Sequence, residues 1–348
     1  MGRCNVLVFG GGAVGSIFGW RIAQNSHATV SVVCRSNWEA VCKSGYSLDT
    51  KTWGRGHFVP RRVLKSGSVA KVVPGQEWDY LILANKIKDD YASTVSELQS
   101  VVSPDTTLVT AQNGMDVEVP LARAFPKNTI LSAVCNISCT QTSPGRIEQT
   151  ASIKRSAFLI GAYAPSTSAD VLKRDTLSAM DSQFESVSRI EHERWRKLVL
   201  NSAWNSVTAL TGKNTHQALQ EPGAARLMSQ IAAEAYSVAF ASGVSLDEDL
   251  PVQVIELAKA SLPITPSTLQ DLRSRRPMEL APIFGYLVLQ ARRVGLPVPY
   301  LTWVHELLQQ RNSQLAVRAA PSGPLWSAST SVVDLLAQEM PPRLSAVA

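Results

Sequence analysis

No stretch of this 348-residue sequence approaches the roughly 18 consecutive apolar residues that a membrane-spanning helix needs. Cysteine is scarce: five residues (Cys4, Cys34, Cys42, Cys135, Cys139), an odd number with no CxxC pair, which speaks against a disulfide framework. The five histidines are scattered, and His305-Glu306 lacks the second histidine of a metalloprotease helix, so no metal site is expected. No Lys/Arg-rich run interleaved with aromatics occurs, so the net charge of +6 does not point to nucleic acid. An apolar run begins within five residues of the start, so no signal peptide is expected. The expectation is a soluble cytoplasmic protein with reduced thiols, large enough for two cores.

What is present starts with Asn5 to Arg35. An apolar run, Val6 to Phe9, breaks into Gly10-Gly11-Gly12-Ala13-Val14-Gly15, continues as a small-residue helix to about Asn25, and returns as an apolar run from Thr29 to Cys34. That is a strand, helix, strand unit carrying GxGxxG in the context that gives the motif meaning. Gly10 allows the tight turn, Gly12 lets the backbone approach a pyrophosphate, and Gly15 lets the helix lie against the strand, whose neighbouring helix N-terminus attracts anions. The second strand ends in Cys34-Arg35-Ser36-Asn37, with no carboxylate before Glu39 to take a ribose 2′-OH. NADP(H) is therefore expected over NAD(H), with Arg35 on the 2′-phosphate; the alternative for Arg35 is a solvated charge at a strand end.

Further along, Trp38 to Ser44 predicts a helical turn and Ser47 to Leu64 a strand-rich crossover. Trp78 to Ala84 predicts a buried parallel strand ending at Asn85-Lys86, residues 90 to 101 a helix, and Thr107 to Ala111 a strand ending at Gln112-Asn113-Gly114, with a helix from Asp116. Ligands gather at the carboxyl ends of strands in an open parallel sheet, so Lys86 and Asn113 are candidates for the cofactor side; a solvated lysine and a plain Asn-Gly turn are the alternatives. Strands near Ile130 to Val134, Ile147 to Thr150, Ser156 to Ala162 and Ser186 to Ile190, with a helix around Ala169 to Met180, complete a domain over 1–190.

From Glu191 the period becomes helical, with segments over 193–212, 223–242, 248–261, 267–276, 279–294 and 298–314 making a second domain over 191–315. Residues 316–348 form a proline-punctuated appendage around a short helix, Ser331 to Met340, disordered or packed on the body or a partner. In the first of the helices Lys197, Asn201 and Asn205 recur every fourth residue and share one face. An ammonium and two amides there suit a substrate carboxylate or keto oxygen, and a protonated lysine suits reduction of C=O, where charge builds on oxygen; the other reading is a solvent face. Ser267 with Gln270 reads as a capping box, and Glu279, after Pro277, stands near a helix start.

Taken together and in order, FGGGAVG, Arg35, Lys86 after LILAN, Gln112-Asn113-Gly114, WRKLVLNSAWN from Trp195 and STLQDLRSRRPME from Ser267 resemble the ketopantoate reductase family. The resemblance covers about residues 3 to 315. It implies an α/β fold, an N-terminal Rossmann-type doubly wound sheet followed by an all-α C-terminal domain of the 6-phosphogluconate dehydrogenase C-terminal-like type, with a cleft between them. It implies NADPH-dependent reduction of 2-dehydropantoate to pantoate in pantothenate synthesis, with Lys197 as general acid and Glu279 on the substrate hydroxyl. Asn201, Asn205 and Ser267 would hold the substrate, with Asn113 and Lys86 lining the cofactor side. A small 2-keto acid is the expected partner, and a homodimer is left open. The family often carries an asparagine where this chain has Ile264, so a reductase of a different, bulkier 2-keto acid or ketone stays open. So does a silent NADP(H)-binding regulator.

Overall fold

The computed structural model describes residues 3–69, 77–87, 91–153, 155–163 and 166–317. The appendage from 318 onward, with its expected helix over Ser331 to Met340, lies outside the described residues. The chain divides into two compact units, the first running to Arg194 and the second starting at Trp195.

In the first unit the elements in order are β1 (Cys4–Phe9), α1 (Ala13–Ala23), β2 (Ala28–Cys34), α2 (Trp38–Ser44), β3 (Tyr46–Thr50), β4 (Gly54–Phe58), β5 (Val63–Lys65), β6 (Tyr80–Leu83), α3 (Tyr91–Gln99), β7 (Thr107–Thr110), α4 (Val119–Ala124), β8 (Ile130–Cys135), β9 (Cys139–Ser143), β10 (Arg146–Gln149), β11 (Phe158–Ala162), α5 (Ser168–Ser178) and β12 (Phe184–Ser186). Eight strands form one sheet in the order β12-β11-β8-β7-β6-β1-β2-β5. From β5 to β8 all pairings are parallel, while β11 runs antiparallel to β8. The order reverses between β1 and β6, the switch point where open α/β sheets bind ligands.

The two-residue period of β1 explains its two cores. Val6 and Val8 face a cluster with Ile17 and Phe18 of α1, and Leu7 and Phe9 face one with Leu98 of α3 and Leu121 of α4. Helices thus cover both faces, and the strands read as unbroken apolar runs because both sides are buried. A smaller sheet, β4-β3-β10-β9, closes over α1: Tyr46, Leu48, Phe58 and Ile147 join the α1 cluster.

Two local expectations are corrected, and one strand was missed. The last strand of the unit is Phe184–Ser186, and Ile190, buried against Val134 and Leu159, opens a helix instead of ending a strand. The helix expected from Asp116 begins at Val119, because Asp116 is held at φ +59°, outside the helical region. Strand β9, CTQTS, has no apolar alternation and was not anticipated.

The second unit is helical. After α6 (Ile190–Thr211), within which the unit boundary falls, come α7 (Thr215–Leu219), α8 (Ala224–Ala241), α9 (Leu250–Ala260), α10 (Ser267–Arg273), a π-helical turn (Ala281–Gly285), α11 (Tyr286–Arg293) and α12 (Pro299–Val317). Val199, Val207, Met228, Ile231, Val254, Phe284, Leu287, Leu301 and Val304 are fully or almost fully buried and make its core. No helix among the described residues is long and apolar enough to cross a membrane.

Candidate active site

At the carboxyl end of β1 each glycine is fixed by a different neighbour. Gly10 sits at φ +119°, and a Cβ there would come within 2.3 Å of the backbone nitrogen of Asn85, at the end of β6. On Gly15 a Cβ would lie 2.1 Å from the carbonyl oxygen of Gly10, so α1 packs against the turn only without a side chain. Around Gly12 there is open space. Gly12 is also the N-cap of α1, with no capping side chain and no acidic residue in the first turn, so the first N–H groups of the helix, from Ala13 and Val14 onward, face that space with a positive dipole end. These residues fit a dinucleotide pyrophosphate.

The carbonyl of Gly11 is held from the far side. It accepts from Asn37 Nδ2 at 2.6 Å and from Tyr46 Oη at 3.0 Å, and Tyr46 Oη also meets Cys34 Sγ at 3.2 Å. Burial pushes the Cys34 thiol up to about 11 and the Tyr46 phenol up as well, so both stay protonated and act as neutral donors. Sequence reasoning missed Asn37 and Tyr46; the signal for Asn37 was its place two residues past Arg35.

Arg35 is exposed just beyond β2, Lys86 is exposed just beyond β6, and Asn113 is half-buried just beyond β7. Since β2, β1, β6 and β7 are neighbours, these three and the glycine turn stand along one carboxyl edge. Gln112 ties that edge together: its amide donates to the Asn85 carbonyl at 2.9 Å, and its side-chain oxygen accepts from Tyr91 Oη at 3.2 Å.

The bend bearing Asn113 is clamped by Arg194, the fifth residue of α6 and 6 % exposed. Its guanidinium donates to the carbonyls of Gln112 (3.1 Å) and Gly114 (2.9 Å), which flank Asn113, and to Thr110 Oγ1 (3.0 Å). It also pairs with Glu118 at 2.6 Å, itself 3 % exposed. This residue too was missed. It lies four before buried Leu198, so the inward face of the helix was the available signal.

In the second unit Lys197 and Asn201 are half-buried and Asn205 is 3 % exposed, so burial deepens along the stripe and it is not a solvent face. Ser267 is half-buried at the first position of α10. The N-cap there is Pro266, with no capping hydrogen bond, and Gln270 donates to the carbonyl of Thr265, so the expected capping box does not form. Ile264 is pinned at both backbone groups: its N–H donates to Thr215 Oγ1 at 3.0 Å, and its carbonyl accepts from the N–H of Thr215 at 2.9 Å.

Glu279 is half-buried at the end of a segment fastened at several points. Arg276 pairs with the buried carboxylate of Asp271 at 3.1 Å, and Met278 N–H donates to Asn312 Oδ1 of α12 at 2.9 Å. The π-helical turn follows directly, with Pro282 near its start and the carbonyl of Leu280 accepting from Ile283, Phe284 and Gly285. Such turns are frequent at functional sites. Past it, Tyr286 meets the ring of Trp195 edge-on at 5.6 Å, joining the Glu279 segment to the start of the Lys197 helix.

Residues 6–164 match the family described as Ketopantoate reductase PanE/ApbA, and residues 189–312 match Ketopantoate reductase PanE/ApbA C terminal. A 2-dehydropantoate 2-reductase of Caulobacter vibrioides is 28 % identical over 305 residues, covering 87 % of this chain and 98 % of that one. An uncharacterized protein of Saccharomyces cerevisiae is 26 % identical over 343 residues, covering 90 % and 95 %. The crystal structure of 2-dehydropantoate 2-reductase from Methylococcus capsulatus superposes with a TM-score of 0.76 at 30 % identity, covering 91 % and 98 %. The chain therefore belongs to the ketopantoate reductase family, oxidoreductases that act on CH–OH groups with a nicotinamide cofactor.

Proposed function

We propose that the protein reduces 2-dehydropantoate to pantoate with NADPH, as a cytoplasmic step of pantothenate synthesis. The observation that carries the reading is the Lys197-Asn201-Asn205 stripe, which runs from half-buried to buried where a solvent face would be exposed. The half-buried ammonium and the two amides set donors in one row, which suits the carboxylate and keto oxygens of a 2-keto acid.

Bound at the glycine turn, reduced nicotinamide would supply the hydride. Arg35 offers a planar fork of donors to the 2′-phosphate, and Lys86 and Asn113 line the cofactor side. Lys197 neutralises the charge that builds on the carbonyl oxygen and then donates its proton there as general acid. Asn201, Asn205 and Ser267 hold the substrate, and the carboxylate of Glu279 accepts from its hydroxyl.

A second reading rests on Ile264. With both its backbone groups bonded to Thr215, this position presents an apolar side chain that cannot donate to a carboxylate. That favours a different, bulkier 2-keto acid or ketone. Steady-state NADPH oxidation with 2-dehydropantoate beside a panel of 2-keto acids separates the two: absence of turnover with 2-dehydropantoate alone selects the second. In either case Lys197→Ala lowers kcat by about 10²–10⁴-fold with the NADPH Kd unchanged. NADPH binding with no turnover of any keto acid in the panel would leave a cofactor-binding regulator.

A further inference from the structure

The sheet that carries the glycine turn has a second feature at its opposite end. A pocket of about 430 Å³ lies at the amino ends of the parallel strands, lined by Arg3, Asn5, Thr29, Ser31, Arg61, Arg62 and Trp78. Four separated stretches of chain meet there. Asn5 of β1 pairs with Thr29 of β2, and Ser31 follows on the same face two residues on. Arg61 and Arg62 are laid beside β2 by backbone bonds, Arg61 N–H to the Val30 carbonyl at 2.7 Å and Val32 N–H to the Arg62 carbonyl at 2.9 Å. Trp78 stands just before β6.

The lining is all of one sign. It holds three guanidinium groups and no carboxylate, and among the described residues none of the three is in an ion pair. Asp79, next to Trp78, accepts the backbone N–H of Asn5 at 2.7 Å. Trp78 itself is buried, and its indole N–H has no hydrogen-bond partner in the protein. Three like charges around one concavity repel one another, and an anion relieves that repulsion; planar guanidinium forks match phosphate oxygens in particular. The pocket is also within the size range of small-ligand sites.

We propose that this pocket is a second anion site, which takes a phosphate-bearing small molecule and is separate from the nucleotide site. The separation follows from β1, whose residues run from Asn5 in the pocket to Gly10 in the turn: five steps of about 3.3 Å put the two roughly 16 Å apart. Arg3, Arg61 and Arg62 supply the charge, Asn5, Thr29 and Ser31 supply neutral polar groups, and Trp78 supplies the wall.

Calorimetric titration of inorganic pyrophosphate into the full chain at constant ionic strength tests this. Saturable binding of one pyrophosphate is expected with saturating NADP⁺ present to fill the glycine turn, weakened at least about tenfold in Arg61→Ala/Arg62→Ala. The paired Arg61→Lys/Arg62→Lys variant, which keeps the charge and loses the fork, is expected to fall between wild type and the alanine pair. Both changes remove side chains whose backbone bonds hold the edge, so an unaltered melting temperature checks the fold. Absence of saturable binding overturns the proposal. So does binding that NADP⁺ abolishes, which would put the ion at the glycine turn, or full affinity in the lysine pair, which would reduce the site to diffuse charge.

Discussion

The glycine turn and the segment bearing Glu279 are held in place by opposite means. At the turn, the determining contacts come from the strand–helix–strand unit, from the end of the adjacent strand and from the stretch of chain that follows β2: Gly15 against the Gly10 carbonyl, Gly10 against Asn85, the Gly11 carbonyl against Asn37 and Tyr46. The segment bearing Glu279 is fastened instead to other helices. Its approach is fixed by Asp271 of the preceding helix through Arg276, by Asn312 through Met278 and by the packing of Tyr286 on Trp195, the last two remote in sequence. The Asn113 bend belongs with the second kind, since the guanidinium that clamps it comes from about 80 residues further along the chain. A site built from short-range sterics tolerates loss of any one hydrogen bond; a site built from long-range polar ties concentrates its dependence in a few buried groups.

The strongest way to break that contrast is at Arg194. Arg194→Met removes donors to Gln112, Gly114 and Thr110 and leaves the Glu118 carboxylate buried without its counter-charge. Loss of one partner from a buried pair costs about 3–5 kcal/mol, which denaturant unfolding measures directly. Adding Glu118→Leu should restore much of that stability while NADPH turnover stays impaired, because the carbonyls flanking Asn113 remain unclamped. Full recovery of both would show that the pair matters for stability alone.

At the glycine turn the largest single effect is expected from Arg35→Asp. Replacing a fork of donors by a carboxylate lowers NADPH affinity by about 2–3 kcal/mol and NADH affinity far less, read as the two dissociation constants. An equal loss for both cofactors would refute the assignment of Arg35 to the 2′-phosphate.

The same contrast explains what could be read from the residues alone. The β1–α1–β2 unit was legible because a glycine spacing and two apolar runs determine it locally. The order β2-β1-β6-β7 was implicit in the alternation of strands and helices, and it put Arg35, Lys86 and Asn113 along one edge. Helix α7 was missed although its signal was present, since Asn214 and Gln217 form a reciprocal capping box. The pair Ser267 and Gln270 misled in the opposite direction: the same spacing suggested a box, but Pro266 in extended conformation takes the cap position and Gln270 turns to the Thr265 carbonyl. A capping pattern reports an opportunity for hydrogen bonding, and the preceding backbone decides whether it is used. Arg194 was illegible for a different reason. Its partners, Thr110, Gln112, Gly114 and Glu118, lie about 80 residues earlier, and within ERWRK only its register with Leu198 separates it from Arg196.

The smallest effect sharpens the comparison most. Asn37→Ala deletes one of two donors to the Gly11 carbonyl and leaves Tyr46 Oη in place at 3.0 Å, its proton secured by a pKa raised through burial. A carbonyl that keeps one partner avoids most of the penalty for a buried orphan, so the cost is about 1 kcal/mol, measured as a shift in unfolding free energy or a roughly fivefold weaker NADPH Kd. Tyr46→Phe should cost a similar amount, since Asn37 then remains. The double variant should cost more than the sum, because only then does the Gly11 carbonyl lose both donors. Simple additivity in that cycle would mean that the two donors do not share one acceptor, and the turn would then have to be held by the glycine sterics alone.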